Sequence, residues 1–357
     1  MRVLDVFSGI GGFHLGLKPF AGVSTVGFCD IDERSRNVLK ARMEDGSVPT
    51  VPIHEDIRSI SLKEGDVDAI VGGFPCTDVS RIGPRKGIES VPTENSERSS
   101  LIHEVIRLTR EAKPSIIFME NVQHIINYDN FDLLMDLFRT CGYVVRWATS
   151  RASDFGAPHQ RHRWWCLCVR KDASQLLLSA PEGIPMYDWS VDNEPPRTGP
   201  TDNRARTFLL GNALVPCVAS RMLVNLWCAS TDISIGRTQT SWQLDRTFDG
   251  CLRVTKEQHP PRNIVLDPAA YVSPAPPGRR LTLPILAEKR IMSHWATPRA
   301  MSYGPSNWVT TRSNRDLATQ VRFEQHTTTD RRGRISGAFV EFLMGFPIDW
   351  TSGVSHR

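Results

Sequence analysis

The chain has 357 residues, of which 40% are hydrophobic, and a net charge of +4. Because this length exceeds the usual size of one domain, we expect one large domain and one smaller domain. No apolar run approaches the roughly 20 residues of a membrane span, and no signal-peptide pattern follows Met1. We therefore expect a soluble intracellular protein without a membrane partner. The eight cysteines form no C-x-x-C pair, which argues against a zinc site and a disulfide framework.

The positive charge is concentrated toward the C-terminal end. Residues 231–357 contain 17 Lys or Arg and 11 Asp or Glu, whereas residues 1–230 contain 26 and 28. This excess favours a polyanion-binding role for the second part, although a solvated surface can have the same composition.

The N-terminal stretch RVLDVFSGIGGF predicts a strand, a glycine-rich turn and a helix. The strand contains residues 3–6, and the turn from Ser8 to Gly12 leads to a helix that begins near Phe13. In the first unit of a doubly wound sheet, small residues at this point let a ligand approach the helix N-terminus. The G-x-G-G spacing differs from the G-x-G-x-x-G pattern of dinucleotide sites.

A second predicted strand, Ser24 to Cys29, ends in three residues that suit a nucleoside ligand. An acid at this position can bind ribose hydroxyls, and we favour this role for Asp30. The neighbouring Ile31 can cover an adenine face. Asp32 fits either a ligand role or the N-cap of the next helix. Asp56, after a third short segment, could accept a hydrogen bond from an adenine amino group.

The segment GGFPCTDVS delivers a cysteine to the end of a strand. The apolar run 69–71 is typical of a strand buried on both faces of a parallel sheet, and ligands bind beyond the carboxyl ends of such strands. Pro75 fixes φ directly before Cys76. A lone cysteine is more often a buried apolar residue than a nucleophile, so this assignment depends on partners elsewhere. The polar stretch 78–96 is long enough for a mobile lid.

A helix is predicted from Leu101 to Glu111, followed by the strand SIIFMENV. This strand ends in Glu120, a carboxyl in an apolar setting that suits an acid protonating a ring nitrogen. A helix from 132 to 140 and a strand from 143 to 148 follow.

The next segment, GAPHQRHRWWCLCVR, contains two arginines before a hydrophobic strand. Arg161 and Arg163 share a face if the segment is extended. Such a pair suits a clamp for an anion or a carbonyl group, although a solvent-facing edge would look similar.

Six motifs together resemble those of the cytosine-C5 DNA methyltransferases. They are DVFSGIGGF at 5–13, GFPCTDVS at 73–80, MENV at 119–122, the R-x-R of Arg161 and Arg163, GNALVP at 211–216 and FVEFLMGFPIDW at 339–350. The resemblance implies an α/β fold with a doubly wound, mostly parallel Rossmann-like methyltransferase sheet and a smaller, mixed target-recognition domain. It also implies S-adenosyl-L-methionine as cofactor, double-stranded DNA as substrate, and no metal.

The resemblance assigns a role to each catalytic candidate. Cys76 would attack C6 of a flipped-out cytosine, and the methyl group would pass to C5. Glu120 would bind the N3 and amino edge, and Arg163 would hold the O2 carbonyl with Arg161 beside it. The implied cofactor-binding residues are Phe7, Gly9, Gly11, Asp30, Ile31, Asp56, Ile57, Pro75, Leu101 and Asn212.

The chain departs from the family pattern at single positions and in motif order. Thr77 and His159 stand where the family usually has Gln, and Asp30 replaces a more usual Glu. GNALVP, usually the last motif, precedes the recognition region here.

The order of the motifs predicts two consecutive domains. Residues 1–230 form the catalytic domain, with an irregular loop or linker at 174–206 and a helix at 208–227 that closes the cofactor pocket. Residues 231–357 form the recognition domain, which the chain enters once without a return crossing.

Two alternatives remain at this stage. An RNA (tRNA) cytosine-C5 methyltransferase has the same fold, but its Cys-Phe-Thr segment is absent here. A non-catalytic DNA-binding relative should have lost one of the four catalytic candidates. By family habit we expect a monomer on DNA, with a cognate restriction nuclease as a candidate partner. The protein would lie in the cytoplasm (nucleoid) of a prokaryote or phage host, or in the nucleus of a eukaryote.

Overall fold

The computed structural model describes residues 1–75, 101–173, 186–199, 204–231, 242–246, 252–256, 264–266 and 334–352. Its strands are β1 Arg2–Val6, β2 Ser24–Cys29, β3 Ile53–His54, β4 Ala69–Gly73, β5 Ile116–Val122, β6 Tyr143–Arg151, β7 His162–Arg170, β8 Thr198–Gly199, β9 Trp242–Arg246, β10 Leu252–Lys256, β11 Ile264–Leu266 and β12 Arg334–Ile335. Its helices are α1 Gly12–Leu17, α2 Glu33–Glu44, α3 Leu101–Ala112, α4 Phe131–Thr140, α5 Arg204–Asn212, α6 Pro216–Thr231 and α7 Gly337–Met344.

A seven-stranded sheet carries the fold, in the order β3-β2-β1-β4-β5-β7-β6. The pairs β3-β2, β2-β1, β1-β4 and β4-β5 are parallel. Strand β7 runs antiparallel to both of its neighbours. The predicted α/β fold with a doubly wound, mostly parallel sheet is therefore confirmed. Chain order reverses between β1 and β4, and open sheets of this kind bind ligands at such a point, beyond the carboxyl ends of the strands.

Apolar layers cover both faces of this sheet. The adjacent tryptophans of β7 point to opposite faces, as successive residues of a strand must. Trp165 stacks on Phe118 with ring centroids 5.7 Å apart. Trp164 packs edge-on against Phe131 at 6.0 Å on the other face. The W-W pair therefore supplies a large apolar side chain to each layer.

The GNALVP segment lies beside the first strand-turn-helix unit. The expected single helix over 208–227 is wrong, because α5 ends at Asn212 and α6 starts at Pro216. Proline has no backbone N–H and is favoured at the first position of a helix, so it starts α6. Helix α6 packs on α1 so closely that a Cβ added at Gly16 would lie 2.7 Å from the carbonyl oxygen of Pro216.

One segment in the described part of the chain, Arg204–Trp227, is long and apolar enough by length and composition to cross a membrane. The sequence alone did not single it out. Its apolar window is 78% buried inside the protein. Packing in the core therefore accounts for its composition.

The C-terminal segment 334–352 packs in the core of the main sheet. Strand β12 pairs with β8, and α7 is buried. The indole Nε1 of Trp350 donates to the carbonyl oxygen of Ile10 at 2.7 Å, and that of Trp189 donates to Phe342 at 2.9 Å. The expected layout is wrong here, since the chain does return to the catalytic domain. Helix α7 is apolar on nearly all sides, and a helix of this kind requires burial. It is buried in the apolar layer on one face of the main sheet.

A buried carboxylate fastens this segment. Glu341 is fully buried and accepts hydrogen bonds from the backbone N–H groups of Asp349 and Thr351, at 2.7 Å each. Its Oε1 also pairs with Nη2 of Arg206 in α5 at 2.8 Å. The pair therefore joins α5 to the C-terminal turn.

We predict that Arg206→Ala lowers the free energy of unfolding by about 3 kcal/mol, because removal of one partner leaves a buried charge unpaired. Urea denaturation measures the change. The control is Glu64→Ala, which breaks the exposed Lys113–Glu64 pair and should cost less than about 1 kcal/mol. Equal losses in the two variants would contradict the role of the Arg206–Glu341 pair.

Candidate active site

A pocket of about 460 Å³ lies at the carboxyl ends of β1, β2, β4 and β5. This size is within the usual range for small-ligand sites. The predicted site residues that line it are Phe7, Gly9, Asp30, Ile31, Asp56, Ile57, Pro75, Leu101, Glu120, Arg163 and Asn212. Cys76 follows the lining residue Pro75 directly and lies outside the described residues. Gly11 and Arg161 are not part of the lining.

The glycine-rich turn is shaped by left-handed backbone. Phe7, Gly9 and Gly11 have φ values of 55°, 52° and 85°. No atom lies within 4 Å of a Cβ built on Gly9, so a ligand can approach its backbone. A Cβ on Gly11 would instead lie 3.2 Å from the side chain of Leu39. Gly11 therefore packs against α2 and is not among the lining residues, and its expected contact with the cofactor stays a prediction.

Asp30 lies in the acid-lined wall of the pocket, which also contains Asp32 and Asp56. Its Oδ2 accepts from the N–H of Gly9 at 2.7 Å, and its Oδ1 accepts from the N–H of Asp32 at 2.8 Å. Burial raises the pKa of Asp30. Ile31 beside it is 71% exposed, so an apolar side chain faces the pocket. These residues offer two carboxylate oxygens next to an apolar surface.

Asp32 and Asp56 both cap helices. Asp32 is the N-cap of α2 and accepts from the N–H of Arg34 at 2.9 Å. The hydrogen bond from the Arg34 side chain lowers the pKa of Asp32. Asp56 caps the 3₁₀ helix Ile57–Ser59 and accepts from the N–H of Arg58 at 2.9 Å. Asp32 and Asp56 thus combine capping with a position in the pocket lining.

Glu120 and Arg163 form an ion pair on the other side of the pocket. Arg163 in β7 is paired with Val122 in β5, two residues from Glu120. Nε of Arg163 lies 2.8 Å from Oε1 of Glu120, with side chains 18% and 12% exposed. A Cβ on Gly73 would lie 3.1 Å from Oε2 of Glu120. Glycine at the end of β4 therefore gives the carboxylate room.

Asn121 fixes the backbone that leads to Cys76. It is buried, and its Nδ2 donates to the carbonyl oxygen of Phe74 at 2.8 Å. Its Oδ1 accepts from the N–H of Val122 at 2.8 Å. Sequence reasoning assigned Asn121 no role. Its position after Glu120, at the end of the strand that pairs with β4, was the available signal.

Arg161 has a different environment from Arg163. Its φ is 30°, so the segment is not extended at Arg161 and the condition for a face shared with Arg163 is not met. The side chain is 3% exposed. Its guanidinium donates to the carbonyl oxygen of Gly211 from Nη1 and Nη2 at 3.2 Å each, and to that of Ala213. Arg161 thus lies behind the pocket wall that Gly211 and Ala213 form.

His159 anchors the C-terminal helix to the same loop. It is fully buried, and its Nε2 is bonded to the carbonyl oxygen of Leu343 at 2.8 Å. Burial, together with the nearby Arg161 charge, lowers the pKa of His159 from 6.5 to about 3. His159 is therefore neutral at physiological pH. Among the described residues, no cluster of three His, Cys, Asp or Glu could hold a metal ion.

The sheet and the pocket bring an acid-lined wall and the Glu120–Arg163 pair together at the switch point of an α/β fold. The family model described as C-5 cytosine-specific DNA methylase matches residues 1–356. The chain therefore belongs to the C-5 cytosine-specific DNA methylase family, and it is a DNA cytosine-5 methyltransferase. The resemblance found in the motifs is confirmed.

Individual relatives agree with the family. The chain is 31% identical to the type II methyltransferase M.CviJI of Paramecium bursaria Chlorella virus IL3A, over 97% of this chain and 96% of the relative. It is 31% identical to the type II methyltransferase M.HhaI of Haemophilus parahaemolyticus, over 54% and 56%. The crystal structure of S. pombe Dnmt2 methyltransferase is similar at a TM-score of 0.38, with 23% identity over 48% of this chain and 51% of that chain.

We predict that His159→Gln flattens the dependence of stability on pH. The unfolded chain binds a proton at His159 below pH 6.5, whereas the folded chain does so only near pH 3. The contribution of neutral His159 is thus complete above pH 6.5 and is lost as pH falls toward 3. Without the imidazole, the free energy of unfolding should fall less steeply below pH 6.5, by up to about 1.4 kcal/mol per pH unit.

Urea denaturation between pH 8 and pH 5 measures this difference. His124→Gln, which removes an exposed imidazole, controls for the loss of a histidine as such. Parallel curves for the parent chain and His159→Gln would contradict the buried neutral state.

Proposed function

We propose that this enzyme transfers a methyl group from S-adenosyl-L-methionine to C5 of a cytosine flipped out of double-stranded DNA, with Cys76 as the nucleophile. One observation carries the proposal. A single pocket joins the end of β4 before Cys76, the Glu120–Arg163 pair and the acid-lined wall around Asp30. Flipping is required because C5 and C6 are inaccessible inside a stacked duplex.

The residues of the acid-lined wall fit S-adenosyl-L-methionine. The two oxygens of Asp30 suit the ribose hydroxyls, and the exposed side chain of Ile31 suits one face of the adenine. Asp56 can accept from the adenine amino group, beside Ile57. The open space at Gly9 lets the ligand approach the backbone. The remaining proposed contacts are Phe7, Pro75, Leu101 and Asn212. When bound, the cofactor supplies an electrophilic methyl group.

The Glu120–Arg163 pair suits the polar edge of cytosine. Arg163 carries donors for the O2 carbonyl. One oxygen of Glu120 can accept from the amino group, and the other, once protonated, can donate to N3, which is an acceptor. Their ion pair at 2.8 Å holds both groups before a base enters. Such preorganisation reduces the cost of reorganisation during the reaction.

The proposed methyl transfer proceeds through a covalent adduct between Cys76 and the cytosine. The Cys76 thiolate would form a bond to C6 as the protonated carboxyl of Glu120 donates its proton to N3, and the electron pair of the C5–C6 double bond shifts to give C5 enamine character. C5 then bonds to the methyl group as the bond from methyl to sulfur breaks. A base would then remove the proton from C5, which restores the C5–C6 double bond as the C6–S bond breaks and the thiolate leaves. The proton on N3 returns to Glu120, and 5-methylcytosine is the product.

We further propose that residues 232–333 contain the sequence-reading surface, since the basic excess lies toward that end. The enzyme acts as a monomer on DNA, in the compartment that holds the DNA. M.CviJI and M.HhaI are named type II methyltransferases, which supports a restriction nuclease of the same target site as a partner.

We predict that DNA containing 5-fluorocytosine traps the enzyme covalently through Cys76. Fluorine at C5 cannot leave as a proton, so the final elimination stops and the adduct persists. A band shift on a denaturing gel and the mass of the modified peptide measure the adduct. Cys76→Ser should abolish the shift and turnover while S-adenosyl-L-methionine binding stays within about tenfold, or ~1.4 kcal/mol.

Cys141→Ser is the matched control, because Cys141 is a partly exposed thiol at the end of α4, in the sheet half that carries β6 and β7. It should trap DNA as the parent chain does. An undiminished adduct with Cys76→Ser would contradict the assignment of the nucleophile.

A further inference from the structure

We propose that Arg161 is a positioning residue for the cofactor pocket and makes no contact with the flipped cytosine. The inference deepens the proposed function and rests on its assignment of S-adenosyl-L-methionine to this pocket. The two arginines of the R-x-R motif would therefore have different roles. Arg163 serves the base, and Arg161 holds the pocket wall that contains Asn212.

Two of the acceptors of Arg161 bracket Asn212. Its guanidinium donates to the carbonyl oxygens of Gly211 and Ala213, the residues on either side of Asn212. All three residues line the pocket. Fixing the carbonyl groups on both sides of one residue restricts the rotation of its backbone, so Asn212 is held in one orientation toward the pocket.

The break between α5 and α6 leaves backbone carbonyl groups that require a hydrogen-bond donor, and Arg161 supplies it. Helix α5 ends at Asn212, and the last carbonyl groups of a helix lack the intrahelical partner that a continuing helix would provide. A basic side chain can bond to these carbonyls and also complements the negative end of the helix dipole. Arg161 reaches two carbonyls with one planar group, which the single ammonium of lysine cannot match.

The position of Arg161 also argues against a contact with the base. The side chain is 3% exposed and is absent from the pocket lining, whereas Arg163 lines the pocket and pairs with Glu120. The φ of 30° at Arg161 turns the chain just before β7 starts. To reach the cytosine, Arg161 would have to abandon its two buried carbonyl acceptors, and unpaired buried polar groups are costly.

The test separates cofactor affinity from turnover in the full-length protein. Arg161→Met should raise the dissociation constant for S-adenosyl-L-methionine by about tenfold, and Arg161→Lys by less, because the lysine ammonium still donates hydrogen bonds although it lacks the planar fork of arginine. With both substrates saturating, the single-turnover rate of DNA methylation should stay within about threefold of the parent. Arg163→Met is the matched comparison and should show the reverse pattern, with slow turnover and an unchanged dissociation constant.

Calorimetric titration and quenched single-turnover assays give the two quantities. If Arg161→Met does not fold, Arg161→Lys alone decides the matter. Slow turnover of Arg161→Lys at saturating cofactor, with an unchanged dissociation constant, overturns the inference.

Asp30→Asn distinguishes this inference from the proposed function. If Asp30→Asn leaves cofactor affinity unchanged, the pocket is not the S-adenosyl-L-methionine site, and both proposals fail. If Asp30→Asn weakens binding and neither Arg161 variant does, only the positioning role of Arg161 is wrong.

Discussion

The antiparallel pairing of β7 with β5 is the constraint on which the site depends. It places Arg163, at the start of β7, beside Val122, at the end of β5. The Glu120–Arg163 ion pair follows from this register. A parallel β7 would put Arg163 at the opposite edge of the sheet, roughly 25 Å away at about 3.3 Å per residue. The antiparallel direction of β7 thus places Arg163 at the edge of the sheet where acidic residues stand at the ends of the parallel strands.

The second requirement is the pocket wall formed by Gly211, Asn212 and Ala213, which distant parts of the chain hold in place. The loop before β7 makes two attachments. Arg161 donates to the carbonyl oxygens of Gly211 and Ala213, and His159 is bonded to the carbonyl oxygen of Leu343 in α7. Glu341 fastens α7 to Arg206 in α5. The C-terminal segment 334–352 therefore returns to the core of the main sheet.

Strand patterns were enough to predict the glycine-rich turn and the acids Asp30 and Glu120, because each follows or ends a strand whose hydrophobic pattern is strong. Leu101 and Asn212 lie on helices and were expected only from the family resemblance. Arg161 was misplaced because a positive φ at a non-glycine residue leaves no signature in residue spacing. The return of residues 334–352 was missed because burial of α7 depends on tertiary packing. Asn121 was overlooked because its role is a single hydrogen bond across two strands.

The most direct measurement is incubation of the enzyme with labelled S-adenosyl-L-methionine and a mixture of unmethylated duplex DNA and RNA, followed by base-resolution mapping of the label. The account predicts label at C5 of cytosines in a fixed sequence context of duplex DNA, and none in RNA. The Cys76→Ser protein should give a blank. Label in RNA alone, on another base, or in DNA treated with Cys76→Ser would contradict the account.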